Sequence, residues 1–488
     1  MHQLEPMTWE AVLASFRNIW GYANFRYPQG EIVQSLLSGR DALVVMPTGG
    51  GKSICFQLPA LLQSGLTLVV SPLVALMENQ VQELQQRLGN RAWTVGLLHN
   101  QMPKQLRVTT LNRLERGQLR LLYLSPETLL SEPVWTRLLR PAVQIRGMIL
   151  DEAHCLVQWG DTFRPAYRRL GAVREALLAA KPTGSRMAIA AFTATADPIA
   201  QQTIRDVLQL QQPAIYRLNP HRANLALRVQ TVWSPRARRQ KLVHLINAHP
   251  HETGLVYVRT RRDAEALADW LTTQGMQTAA YHAGLSPQHR RQLETEWLDG
   301  RLSFVICTSA FGMGINKSNV RWVIHFQTPA LLSEYVQEVG RAGRDGQFAE
   351  AIALVSERTG WLDPEDKQRW HFFEAKQFAQ QRAARLLLRR LPPRGNVNDI
   401  TKQFTDGAIA LALLHRDHQL RWLDPFHYEL SPSTATPAIA TNPSRQMHQF
   451  LYGRDCRWRF LLNAFGFAAE AKEMRCGLCD RCQTNRKH

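Results

Sequence analysis

The chain has 488 residues, 45% of them hydrophobic, enough for two to four domains with cores of their own and too apolar for a disordered polypeptide. Lysine and arginine number 59 against 40 acidic residues, and the resulting charge of +19 is spread along the whole length, which points to a polyanionic partner, nucleic acid first of all. No stretch approaches the ~18–20 apolar residues that span a bilayer, and "MHQLEPMTWEAVLASF" lacks the basic start and apolar core of a signal peptide, so a soluble cytoplasmic protein with no membrane partner is expected.

In chain order, the apolar runs "DALVVMP", "LTLVVSP", "LRLLYLSP", "GMILDEAH" and "MAIAAFTATA" alternate with stretches of helical pattern and length. Near-continuous apolar strands separated by helices predict a parallel sheet covered on both faces. The first run leads into "MPTGGGKS" (46–53) and then the apolar helix pattern "ICFQLPALL". Glycines there free backbone N–H groups to face phosphate oxygens, with Thr48, Gly49 and Gly51 in the loop. Lys52 is placed to reach the β- and γ-phosphates of a nucleotide, and the Ser53 hydroxyl to ligate Mg²⁺. Met46 stands where the strict phosphate-loop pattern has its first glycine, so a chance glycine-rich turn is the competing reading.

The run "GMIL" ends in Asp151 and Glu152. One acid at a strand end can support Mg²⁺ while its neighbour orients or deprotonates a water; a solvated acidic turn is the alternative. A loop bearing Trp159, Phe163, Arg164 and Tyr167 follows at once.

After residues 216–225 the strand pattern restarts with "GLVYVRT", "TAAYHAG", "LSFVICTS" and "RWVIHFQTP", predicting a second α/β unit. Its "QEVGRAGRDG" (337–346) carries Arg341 and Arg344, guanidinium groups of the kind that stabilise charge on a transferring phosphoryl group.

Beyond residue 350 the texture changes. A charged helical stretch runs from about Pro364 to Leu391, ending in "RAARLLLRRL", with "PPRGNV" as its stop. "NDITKQF" and "DGAIALALLHRDH" read as helices, and "QLRWL" and "FHYEL" as a hairpin around "DP". Three helices and a hairpin are the order of a winged helix; an elaborated helical plate with a loop insertion fits the pattern equally. Past the linker "SPSTATPAIATNPS", Cys456, Cys476, Cys479 and Cys482 match a tetrahedral Zn²⁺ site. A disulfide pair and an iron–sulfur cluster are the other arrangements of such thiols, the first disfavoured in a reducing compartment.

Together these motifs resemble the RecQ family of superfamily 2 DNA helicases, over roughly residues 15–350 and again over 454–482, in a short form ending at the zinc-binding segment. The resemblance implies two tandem RecA-like parallel-sheet domains, at 1–217 and 218–350, binding ATP and Mg²⁺. It further implies a mostly helical zinc-binding region, at 351–391 and 434–488, interrupted by the winged-helix-like insertion at 392–433. "WGYANFRYPQGEI" is similar to the family's adenine motif, which makes Tyr22, Arg26 and Gln29 base contacts. "SPLVALMENQ" (71–80), "FTATAD" (192–197), "YHAGL" (281–285) and "TSAFGMGINK" (308–317) stand where the family places DNA-contacting and coupling motifs. In the loop after the acids, Trp159, Phe163 and Arg164 match the family's sensor of single-stranded DNA. Aromatics stack on bases without sequence preference, and arginine holds the backbone. Asp161 stands where the family has histidine and Thr162 where it has aspartate, and the acid is expected to weaken DNA-stimulated hydrolysis.

The implied activity is ATP-driven movement along single-stranded DNA, 3′ to 5′, with unwinding of duplex or forked DNA in repair and recombination by a monomer. A DNA-dependent ATPase that switches conformation, or an annealing protein with weak unwinding, is the alternative. A wing at the hairpin tip, with Phe426 or His427 wedging the fork, is the corresponding expectation for the insertion.

Overall fold

A computed structural model describes residues 8–157, 164–311, 317–431 and 443–484. The chain forms two compact units: the first holds nearly all of residues 8–218 together with 380–431, the second holds 219–379 together with 443–484.

The first unit is built on seven strands: β1 (Ala42–Val45), β2 (Leu66–Val70), β3 (Val95–Leu98), β4 (Leu121–Leu124), β5 (Ile145–Leu150), β6 (Ala188–Thr193) and β7 (Ala214–Arg217). All pair in parallel, in the order β3-β4-β2-β5-β6-β1-β7. The apolar runs become strands because helices cover both faces; every residue of β1, β2 and β4 is buried. β6 lies between β1 and β5, with Ala42 opposite Ala190 and Met148 opposite Ile189. The segments leaving the C-terminal ends of these three strands are therefore neighbours, where parallel sheets place their sites.

The second unit has six parallel strands, β8 (Leu225–Val232), β9 (Thr253–Tyr257), β10 (Ala280–Tyr281), β11 (Phe304–Cys307), β12 (Val320–His325) and β13 (Ala349–Ser356), in the order β10-β11-β9-β12-β13-β8. β3, β7, β8 and β13 had no counterpart among the expected runs. β8 is an edge strand whose second half, Arg228 to Thr231, meets solvent, so "LALRVQTV" mixes polar with apolar. β13 is rich in alanine, a weak strand former, and it continues past residue 350, the expected boundary.

Residues 380–431 form a small module with its own core of Ala384, Leu387, Leu391, Val397, Ile400, Leu411, Leu414, Leu420 and Tyr428. The end of helix Glu365–Leu388 is followed by β14 (Arg394–Asn396), helices Val397–Gln403 and Gly407–Arg416, β15 (Leu420–Trp422) and β16 (His427–Leu430). The three strands pair antiparallel with β16 in the centre. The expected hairpin is present, and "PPRGNV", read as a helix stop, supplies a third strand. Gly395 faces Tyr428 across the pair, and a Cβ there would collide with the tyrosine ring.

The expectation that Phe426 at the hairpin tip wedges a fork is corrected. Phe426 packs edge-on against Trp135 of the first unit's core, ring centroids 5.3 Å apart at 72°. Pro425 is buried, and its carbonyl accepts a hydrogen bond from Arg169 Nη1 at 3.2 Å. His427 is exposed, but its Nδ1 lies 2.8 Å from Asp424 Oδ2.

In the second unit, the C-terminal helices Pro443–Tyr452 and Arg457–Ala464 share one core with the sheet. Trp458 is buried and its indole N–H donates to Leu225 O of β8 at 3.0 Å. Arg457, also buried, grips Asp480 with two hydrogen bonds of 2.9 and 2.7 Å.

Candidate functional site

The loop after β1 turns at Gly49 and Gly51, with φ of 83° and 75°, and helix Lys52–Leu62 starts immediately. Gly51 caps that helix in the left-handed region, which a side chain would strain. A Cβ there would also run into Gln29 Nε2. Gln29 is buried, donating from Nε2 to Gly50 O at 3.0 Å and accepting from Arg26 N at 2.9 Å. It ties the expected adenine motif to the phosphate loop. Tyr22 and Arg26 are exposed, with Tyr22 beside Phe16. Lys52 Nζ donates to Met46 O at 3.2 Å, an ammonium held at the loop's own start.

Asp151 and Glu152 leave the end of β5, both buried. Asp151 accepts from Gln80 Nε2 at 3.2 Å and from Glu152 N at 3.0 Å. Burial, then the neighbouring Glu152, push its pKa up to about 6 against the pull of Lys52. A divalent cation there would relieve two acids that share one buried turn. Glu152 sits at φ 50°, an uncommon conformation for a side-chain-bearing residue, and its Oε2 lies 3.2 Å from His154 Nδ1. The same nitrogen is 3.1 Å from Thr193 Oγ1 at the end of β6. Burial works against charge on His154, but Cys155 and Glu152 outweigh it and raise its pKa. The first unit thus brings together a phosphate-type loop, a cation-seeking acid pair and a polar relay from the second acid to "FTATAD".

Gln80, His154 and Thr193 were given no role at the sequence level. Gln80 and Thr193 lie within "SPLVALMENQ" and "FTATAD", so the signal was present as motifs but not as individual residues.

Arg164 is salt-bridged to Glu127 at 2.8 Å, while Trp159, Phe163 and Asp161 lie outside the described residues. Tyr167, read as part of the same loop, is fully buried in the first unit's core.

In the second unit, Arg341 is buried and Arg344 partly so, on the turn after helix Leu332–Val339. Burial, then Arg341, lower the pKa of Arg344 to about 10. The turn is anchored by Glu338, which meets Arg259 at 3.1 and 2.9 Å and His325 at 2.8 Å. Asn224 Nδ2 holds Gly343 O at 2.8 Å.

The sulfurs of Cys456, Cys476, Cys479 and Cys482 all lie within 4.8 Å of one another. Cys476 Sγ is 3.9 Å from Cys482 Sγ, and Cys479 Sγ is 4.0 Å from Cys456 Sγ. A disulfide, at ~2.05 Å, is excluded. Zinc–sulfur bonds of ~2.3 Å in a tetrahedron put the sulfurs ~3.8 Å apart, which these thiols match. No helix among the described residues is long and apolar enough to cross a membrane.

Two family models match the chain: "DEAD/DEAH box helicase" over residues 26–203 and "Helicase conserved C-terminal domain" over 237–346. An "ATP-dependent DNA helicase RecQ" from Synechocystis sp. is 51% identical over 475 residues, covering 97% of this chain and 98% of the relative. One of the same description from Haemophilus influenzae is 38% identical, over 77% of this chain and 60% of its own length. Among solved structures, S. cerevisiae Dbp5 bound to RNA and ADP BeF3 has a TM-score of 0.57 at 17% identity, covering 74% of this chain and 90% of that one, a likeness of fold.

Proposed function

This chain belongs to the RecQ family of ATP-dependent DNA helicases, and from that premise we propose that it moves 3′ to 5′ along single-stranded DNA and unwinds duplex or forked DNA as a monomer, in repair and recombination. The observation that carries this reading is the meeting, within one unit, of the Lys52 loop, the Asp151–Glu152 pair and the His154–Thr193 relay.

We assign Thr48, Gly49, Gly51, Lys52 and Ser53 to the nucleotide phosphates, and Tyr22, Arg26 and Gln29 to the base. Ser53 and Asp151 would hold Mg²⁺, which would neutralise phosphate charge when bound. Glu152 orients and deprotonates the attacking water, with His154 holding its carboxylate in place. Arg341 and Arg344 are assigned to the developing phosphoryl charge, and Trp159, Phe163 and Arg164 to single-stranded DNA. The four cysteines would hold Zn²⁺ in a closed, structural site.

Strand displacement on 3′-tailed, 5′-tailed and forked DNA and RNA, with Lys52→Ala as control, tests the reading. Displacement of the 3′-tailed and forked DNA, lost in Lys52→Ala, is expected. DNA-stimulated hydrolysis without displacement would instead make the enzyme a conformational switch, and stimulation by RNA alone would overturn the substrate.

A further inference from the structure

Residues 380–431 follow the order helix, strand, helix, helix, strand, strand. In modules built around a helix-turn-helix, the second helix of the turn reads DNA. That position is taken here by Gly407–Arg416, "GAIALALLHR", buried at Gly407 and from Ala410 to Leu414, with charge only at its end. It packs against the 3-10 helix Pro165–Ala172 of the same unit. The tip between the last two strands is engaged as well: Phe426 lies on Trp135, and Pro425 O accepts from Arg169. Both surfaces through which such a module would meet DNA face the first unit's own sheet domain.

We propose that the module is an internal brace, docked on Pro165–Ala172, and that Trp135, Arg169 and Phe426 are positioning residues for DNA-dependent ATP hydrolysis. Two short links support this. Pro165–Ala172 follows Arg164 directly, Arg164 is paired with Glu127, and Arg169 lies in the field of that same carboxylate. Tyr167, in the middle of the braced helix, packs in the core with Cys155, whose neighbour His154 contacts Glu152. Holding Pro165–Ala172 still therefore constrains both the last residue of the aromatic-rich loop and the surroundings of the water-orienting acid. The docked and undocked arrangements are the two states such coupling requires. The functional half of the proposal rests on the helicase reading; the docking does not.

Hydrogen exchange on the full chain, without nucleotide or DNA, tests the docking. Phe426→Ala and Arg169→Gln should speed exchange in 165–172 while the module's core amides stay protected, and Phe426→Leu should restore most of the protection. Unchanged protection of 165–172 in both variants would overturn the brace. ATP hydrolysis titrated with single-stranded DNA tests the function: the basal rate stays as in wild type, and DNA stimulation changes about fivefold or more. Lost protection with stimulation intact would overturn the positioning role. A wild-type enzyme that no DNA stimulates would overturn the helicase reading, and the exchange result would still decide the docking.

Discussion

The module at 380–431 and the cysteine segment at 443–484 are both too small to be stable on a large core, yet they are secured in different ways. The module keeps a core of its own and meets the rest of the first unit through helix Gly407–Arg416 on Pro165–Ala172, the Phe426–Trp135 rings and the Arg169–Pro425 hydrogen bond. The cysteine segment has no separate core: Trp458, Leu461, Leu462 and Cys479 belong to the same cluster as Leu225, Val323 and Tyr335 of the second unit. A region with its own core can undock and remain folded. A region that shares a core unfolds with its host.

Removing the Zn²⁺ proposed for the four cysteines should break this contrast most visibly. Chelation, or Cys479→Ser, is expected to cost up to the order of 10 kcal/mol of apparent stability and to abolish the second unit's calorimetric transition while the first unit's remains. Loss of only the C-terminal segment's protection would show that the core is not shared. Trp458→Ala comes next, at about 3–5 kcal/mol, again read in the second transition alone. Phe426→Ala should cost about 2 kcal/mol, below the range for a fully buried phenylalanine because the ring is only partly enclosed. That loss should fall on the first transition.

Acid should separate the regions more gently. Burial, then Arg168 and His418, lower the pKa of His415 at the docked face to about 3. The unfolded chain takes up this proton first, so the stability is complete above about 6.5 and is lost as pH falls towards 3. The slope is at most about 1.4 kcal/mol per pH unit. In the second unit burial alone would raise the pKa of Glu338, but Arg259 and His325 outweigh it and depress it to about 2. Its contribution is present above about 4.5 and declines only below that. Thermal scans from pH 7 to 4 should therefore show a smaller acid loss of the first unit's transition in His415→Leu than in the wild-type chain.

Sequence pattern sufficed where a feature is local. The phosphate loop, the acid pair, the three thiols Cys476, Cys479 and Cys482, and strands β1, β2, β4, β5, β6, β9, β10, β11 and β12 are each written in a few consecutive residues. β8 was hidden because an edge strand is half solvated, and β14 because proline and glycine in "PPRGNV" signal an end to structure. The Gln80–Asp151 bond and the Arg259–Glu338 pair that anchors the Arg341 turn join residues whose types are ordinary and whose neighbours in space are remote in sequence. Docking of the hairpin tip was the furthest from view. An exposed-looking aromatic beside a turn reads as a wedge until its distant partner, Trp135, is known.

That Trp135–Phe426 contact also has a consequence for biosynthesis. At translation rates of about 5–20 residues per second, the ribosome needs roughly 15–60 s to travel from one ring to the other. During that interval the face of the first unit that receives the module waits uncovered, while the second unit's entire sheet emerges. The first unit to begin folding is thus completed only after the second sheet has been made, and truncation within the intervening stretch would leave an apolar surface for chaperones to find.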